Sequence, residues 1–418
     1  MSPRAPTTNP FQVRNFRFQW PADLLTSCAF EMEALILGWY MLVETGSVLM
    51  LTLFGALLFL GTLISPLFGV AGDRIGHRHV LCGMRAVYVV LSATLMLIVF
   101  ANRLSPLVVL VITALMGLVR PSDLGLRVVV AAGNMRADQL TAAMGVSRTT
   151  SDSARVAGAL TGAGVFAIYG MGPAYVAVVT LYVLGLLLTL RITAAPRDAT
   201  PEIVQIAFPH SSAWRDLREA IAHIWASPQL LAAMLIAMLV NFTAFPLSGG
   251  LLPYVVREIY QLDQRALGYL VASFAFGALL GSMFVSLRET AKPARTMIAG
   301  AVVWYGFLLA FGQMQTLWGG ILMLVLAGFA QSICVVALTV LLLRHSDARY
   351  RGRMMGLRTL AIYSLPLGLL VAGALIERIG FSATASLYTV VGLICTAAIA
   401  LRWRADLLHS DGARSADP

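Results

Sequence analysis

Three acidic residues, Asp23, Glu31 and Glu33, stand in the first long apolar stretch of the chain. A carboxylate in apolar surroundings is costly, and one that persists there is a candidate for reversible proton or cation binding. Asp23, Ser27 and Glu31 recur at intervals of four, so on a helix they share a face. Glu33 points about 200° away from Glu31. Glu31 is therefore the first candidate for proton or cation coupling and Glu33 the second, with a structural pairing to an arginine as the other use open to Glu31. It lies ~16 Å along the helix from Trp20. Asp23, one turn from Trp20, also fits an interfacial position.

The charged group Arg120-Pro121-Ser122-Asp123 follows in a later apolar stretch, with Arg127 four residues beyond Asp123. Pro121 is expected to kink that helix. Arg120 and Asp123 fit a gating pair or a salt bridge at a helix end, and Arg155 is of the same kind. Asn241, Gln331 and Ser332 are uncharged polar residues deep in other apolar stretches, suited to substrate contact or to interhelical hydrogen bonds. Tyr40, Phe245, Trp304 and Tyr305 are candidate cavity aromatics, with packing as the alternative.

These residues need a scaffold, and composition says which kind. Of 418 residues, 59% are hydrophobic and 12% charged, and mean hydropathy is +0.81. Soluble domains carry roughly 25% charged residues. So large an apolar excess needs lipid as solvent for most of the surface. Twelve candidate spans follow, near 20–43, 48–71, 80–101, 105–127, 144–168, 172–191, 229–249, 265–286, 294–312, 317–342, 355–376 and 383–402. The fifth carries Arg148, Asp152 and Arg155 in its first half, and the eleventh carries Arg358. The first is too long for a signal sequence and is expected to stay as a helix. The expected fold is an all-α membrane protein with twelve transmembrane helices in two pseudo-symmetric six-helix bundles. Its parts are a tail at 1–19, a bundle at 20–191, a linker at 192–228, a second bundle at 229–402 and a tail at 403–418.

Lys and Arg set the orientation. With both termini cytoplasmic, 26 of the 30 fall on the cytoplasmic side, Arg74, Arg78 and Arg85 among them; only Arg103, Arg257, Arg265 and Arg378 fall outside. The net charge of +10 then faces anionic headgroups, and nucleic acid is not an expected partner. The expected partners are a small-molecule substrate and the lipid bilayer, with the chain acting as a monomer. Cys28, Cys82, Cys334 and Cys395 stand far apart in apolar surroundings, with no metal-binding or disulfide spacing.

Within 192–228, Pro196, Pro201 and Pro209 break the first half, and Ser211 or Ser212 can cap a helix over 213–226. Trp214, Leu217, Ile221, Ile224 and Trp225 form one face of that helix, opposite Arg215, Asp216, Arg218 and Glu219. It reads as an amphipathic helix on the inner interface, tethering two halves or binding a partner. The halves echo at an offset of 211 residues: Met144-Gly145-Val146 matches Met355-Gly356-Leu357, and Gly162 matches Gly373. Six-plus-six repeats place a substrate site near the midplane, where the halves meet.

The run Gly69-Val70-Ala71-Gly72-Asp73-Arg74-Ile75-Gly76-His77-Arg78 links spans two and three. Gly69 and Gly72 suit close helix approach and Gly76 a tight turn. The run resembles the loop 2–3 signature of the major facilitator superfamily. One branch is resembled further, the bacterial exporters that include enterobactin exporters, macrolide-efflux proteins and transmembrane secretion effectors. Gly38-Trp39 with Thr45-Gly46-Ser47, Gly268-Tyr269 with Phe276-Gly277-Ala278-Leu279-Leu280-Gly281, and Arg351-Gly352-Arg353-Met354-Met355-Gly356 carry that likeness over roughly 11–403. Two departures stand out. The fifth-span run Gly158-Ala159-Leu160-Thr161-Gly162-Ala163-Gly164 lacks the proline of the antiporter pattern, and the second-half loop copy is reduced to Leu287-Arg288-Glu289-Thr290-Ala291-Lys292.

The resemblance implies a secondary active exporter of the bacterial inner membrane, carrying a siderophore or drug-like amphiphile. It implies that Asp73, Arg74 and Arg78 latch the outward-open state. No GxxxxGK[ST] motif supplies internal ATP chemistry, and no hydrolytic or redox motif is placed to act, so an enzyme is not expected. No cofactor is expected, and the proton gradient is the expected energy source. An importer or uniporter of a small metabolite is the main alternative, and a non-transporting membrane assembly factor the second.

Overall fold

A computed structural model describes residues 9–62, 64, 68, 71–72, 74–133, 135, 137–193, 224–225, 227–287, 292–345 and 361–404, and no strand occurs among them. The longer helices are α1 (Arg14–Thr45), α2 (Val48–Leu57), α3 (His77–Phe100), α4 (Pro106–Ala132), α5 (Ala137–Tyr169) and α6 (Met171–Leu190), then α7 (Pro228–Phe245), α8 (Gln264–Ser286), α9 (Pro293–Phe311), α10 (Leu317–His345), α11 (Ser364–Ile379) and α12 (Phe381–Arg402). Nine of these are long and apolar enough to cross a bilayer. The other three have visible reasons. α2 with the turn Leu60–Thr62 is short, α5 has a polar first half, and α11 has 16 described residues. The expected second span, 48–71, is thus helical only to Leu57 before that turn, and the fifth starts at Ala137 rather than at 144.

Local sequence explains the helix starts. Ser105 caps α4 ahead of Pro106, and Ser227 caps α7 ahead of Pro228. Each side chain accepts from a backbone N–H three residues on, while the proline occupies a position whose N–H has no helical partner. Asp263 caps α8 by accepting from Arg265 and Ala266 N–H. Beyond α7 the chain continues through a π-helical turn at Pro246–Gly250, a single turn at Leu252–Tyr254 and a second π-helical turn at Val255–Ile259.

The chain divides into two compact units, Met1–Leu37 with Leu57–Phe208, and Gly38–Ala56 with Pro209–Pro418. The last part of α1 and most of α2 therefore belong to the second unit, although the sequence assigns them to a bundle at 20–191. In the first unit α3 packs on α4 and α6. In the second, α10 packs on α8 and α9, and α7 on α11 and α12. The expected linker helix over 213–226 lies almost wholly outside the described residues, as do residues 351–356.

Each unit repeats the same packing. In the first, a Cβ on Gly117 would strike the Leu57 carbonyl oxygen, and one on Gly61 would strike that of Leu118. In the second, Gly277 meets Val325 O and Gly328 meets Phe274 O in the same reciprocal way. Neither crossing leaves room for a side chain, as in small-residue membrane contacts. Gly170 and Gly380 both have φ of +80° and join α5 to α6 and α11 to α12. A reciprocal glycine contact and a positive-φ glycine between the last two helices thus occur in each unit.

Candidate functional site

The α1 face carrying Asp23, Ser27 and Glu31 is the spine of a charged column in the first unit. At one end are Asp23 and Asp123 with Arg85 and Arg127. Arg85, from α3, donates to Asp23 and to the Thr189 hydroxyl, and its Nε is 3.8 Å from Asp123. Arg127 lies 2.5 Å from Asp123 and 3.6 Å from Asp23, and donates to Ser27 at 2.8 Å. Its carbonyl accepts from Gln19 at 2.7 Å. Two carboxylates face two guanidiniums, so the group is balanced in charge. Beside it a cleft of about 230 Å³ is lined by Trp20, Asp23, Ser27, Arg127, Ser147 and Thr150.

One or two turns along, Glu31 has a different setting. Its carboxylate is 4.0 Å from Arg120 of α4 and 3.9 Å from Arg155 of α5. The Arg120 guanidinium lies 3.4 Å from the centre of the Phe30 ring. Close helix packing makes this arrangement possible. A Cβ on Gly158 would come within 2.9 Å of Glu31 Cβ and 2.8 Å of Cys28 O, and one on Gly162 within 3.0 Å of Met32 Cα. α5 therefore lies directly on α1, and Arg155, one turn before Gly158, reaches Glu31. Gly158 and Gly162 of the proline-free run serve this contact.

Glu33 faces the other way, as its spacing from Glu31 requires. It is 3% exposed, accepting from Ser92 of α3 at 2.9 Å and from Tyr182 of α6 at 3.0 Å. Tyr182 in turn packs on Tyr88, with ring centres 5.5 Å apart. Among the described residues Glu33 makes no ion pair.

The expected pairing of Arg120 with Asp123 is not the one observed. Asp123 is taken by Arg127 and Arg85, leaving Arg120 to Glu31. Sequence reading missed Arg85, which is 1% exposed rather than a charge at the membrane surface. The signal was its position: Arg85 lies more than one turn inside the span expected at 80–101, whereas Arg74 and Arg78 precede that span. Ser92, Tyr182 and Thr189 carried no signal that separates them from other polar residues in apolar helices.

Of the loop residues, Gly72 is buried against the His77 ring, and Gly76 has φ of +97° and starts α3. Arg78 donates to Leu190 O at 2.9 Å, and Arg74 is exposed. Gly69 and Asp73 lie outside the described residues. In the second unit Trp304 is fully buried, edge-on to Phe245 at 5.1 Å and stacked on Tyr305, so its ring is core rather than an open wall. Asn241 donates to its own helix at Ala237 O, 2.8 Å away. Gln331 is 5% exposed and Tyr40 half-buried.

A family model described as Major Facilitator Superfamily matches residues 20–365 and, in a second alignment, 234–415. The chain belongs to the Major Facilitator Superfamily. Membership with this set of apolar helices makes it a multi-pass membrane transporter and not an enzyme. Among solved structures, the POT family transporter PepTSo aligns with a TM-score of 0.74 at 12% identity, over 95% of this chain and 99% of that one. A bacterial homologue of the human lysosomal transporter Spinster, in an inward-facing and unoccupied conformation, aligns at 0.71 and 14% identity, over 95% and 98%. A D-xylose–proton symporter aligns at 0.68 and 11%, over 93% and 97%. At these identities the likeness is one of fold. No curated protein sequence matches this superfamily member significantly.

Proposed function

We propose that this chain is a secondary active transporter that exports an amphiphilic small molecule, a siderophore or drug-like compound, in exchange for protons carried by Glu31. It works by alternating access, as a monomer, in the bacterial inner membrane with both termini in the cytoplasm and no cofactor. The observation that supports it is the contrast between the two charged groups. Asp23 and Asp123 are balanced in charge by Arg85 and Arg127, with contacts as short as 2.5 Å, whereas Glu31, 21% exposed, meets two arginines only at 3.9–4.0 Å. The exporter direction is supported by the sequence likeness to the bacterial exporter branch. Asp73, Arg74 and Arg78 serve as the conformational latch.

Uptake of an acidic substrate together with a proton is the second reading, and the arginine pair favours it. An anion that takes Arg120 and Arg155 leaves Glu31 without a counter-ion, so proton and substrate bind together rather than in competition. One assay separates the readings. A substrate found by a growth panel in a strain lacking this protein is loaded into proteoliposomes, and a pH gradient is imposed. Exchange predicts that inward protons accelerate efflux; cotransport predicts that they accelerate uptake. Flux indifferent to the gradient rules out both.

A further inference from the structure

Arg120 of α4 and Arg155 of α5 lack a hydrogen-bond partner among the described residues. Each meets Glu31 only at 3.9–4.0 Å, beyond hydrogen-bond reach, and Nη1 of Arg120 is buried with no acceptor. Arg85 and Arg127, by contrast, donate to carboxylate, hydroxyl or carbonyl oxygens. The charge count is also uneven: two cations share one anion, and the nearby Glu33 is occupied by two hydroxyls. Arg120 is 12% exposed, Glu31 21% and Arg155 38%, so the group is open from the Arg155 side. The charged and titratable groups facing Glu31 are Arg120 from α4, Arg155 from α5 and, on α1 itself, Cys28.

Planar guanidinium pairs recognise carboxylate, phosphate and similar oxyanions by forked hydrogen bonds. We infer that Arg120, Arg155 and Glu31 form an anion-binding site, and that the transported molecule carries a carboxylate or phosphate group bound between the two arginines. The Phe30 ring beneath Arg120 holds one guanidinium in place while its remaining N–H groups face the ligand. A lipid headgroup is a poor occupant, because Glu31 lies ~16 Å beyond Trp20 along α1. The inference rests on the second, cotransport reading above, in which the substrate anion and the proton bind together, and it names the substrate class for that same site.

The test is binding, measured without transport. The full-length protein in phosphatidylcholine nanodiscs is titrated calorimetrically with 2-naphthoate, 2-naphthamide and 2-naphthylmethylammonium, with empty discs as the blank. The expected result is that naphthoate binds at least about tenfold tighter than the amide, with the ammonium weakest. Arg155→Gln and Arg120→Gln should each remove most of that preference, whereas Glu31→Gln should strengthen naphthoate binding by freeing both arginines. Arg155 is the more exposed, so Arg155→Gln carries the test if Arg120→Gln does not fold. Naphthoate binding no tighter than the amide, or a preference unchanged in Arg155→Gln, overturns the anion site. A protein that shows gradient-driven flux yet no naphthoate preference loses the anion site alone; the reverse pattern retains the site and removes the transport reading.

Discussion

Replacing Arg85 by glutamine tests whether this arginine is a core charge or a marker of membrane orientation. Arg85 is 1% exposed and engages Asp23, Asp123 and Thr189. At the 3.8 Å separation from Asp123, with an effective dielectric of ~20, the Coulomb attraction of that pair alone is about 4 kcal/mol before desolvation. Arg85→Gln leaves two carboxylates facing Arg127, an uncompensated buried charge that costs ~3–5 kcal/mol. Adding Asp123→Asn restores neutrality, so the double variant should recover about 2 kcal/mol of that loss, a coupling that a double-mutant cycle reads directly. The assay is SDS-induced unfolding in mixed micelles, with Arg103→Gln as the exposed control, expected within about 0.5 kcal/mol of wild type. If Arg85→Gln costs no more than Arg103→Gln, or if the Arg85 and Asp123 effects add, the neutral four-residue group is wrong.

Further outcomes follow from the same geometry. Glu33→Gln keeps two hydroxyl partners and should cost under about 1 kcal/mol, whereas Glu33→Leu strands Ser92 and Tyr182 and should cost about 1–3 kcal/mol in the same unfolding assay. Gly117→Leu and Gly328→Leu should each cost at least about 3 kcal/mol or abolish folding, while Gly306→Ala, with open space around its Cα, should be tolerated; thermal unfolding in detergent checks both. Gly158→Val should separate α5 from α1 and lower gradient-driven flux without touching a charged residue, which transport set against expression level would show. Asp73→Asn should insert normally yet lose transport if the loop is a latch; full activity would leave the loop as an orientation signal only.

Much of the fold was legible because hydropathy is a one-dimensional signal. Apolar stretches such as 80–101 and 317–342 are local features, and sequence carries local information well. The charged column was legible only in part. The interval of four from Asp23 to Ser27 to Glu31 set the shared face, and the offset of Glu33 set its opposite direction. The partners were not readable, because Arg85, Asp123 and Arg155 come from three other helices whose rotation follows from packing. Arg120 and Asp123 are near neighbours in sequence, yet Arg127 one turn on and Arg85 across the unit compete successfully for Asp123. Aromatics such as Trp304 gave no direction either, since a ring in an apolar helix looks alike whether it lines a wall or fills a core.

The claim on which the account stands is that Glu31 carries the coupled proton. The direct measurement is flux of the identified substrate in proteoliposomes under an imposed pH gradient, for wild type and Glu31→Gln side by side. The account predicts gradient-driven flux in wild type and, in Glu31→Gln, substrate exchange that no longer responds to the gradient. An equal response in both proteins would contradict it.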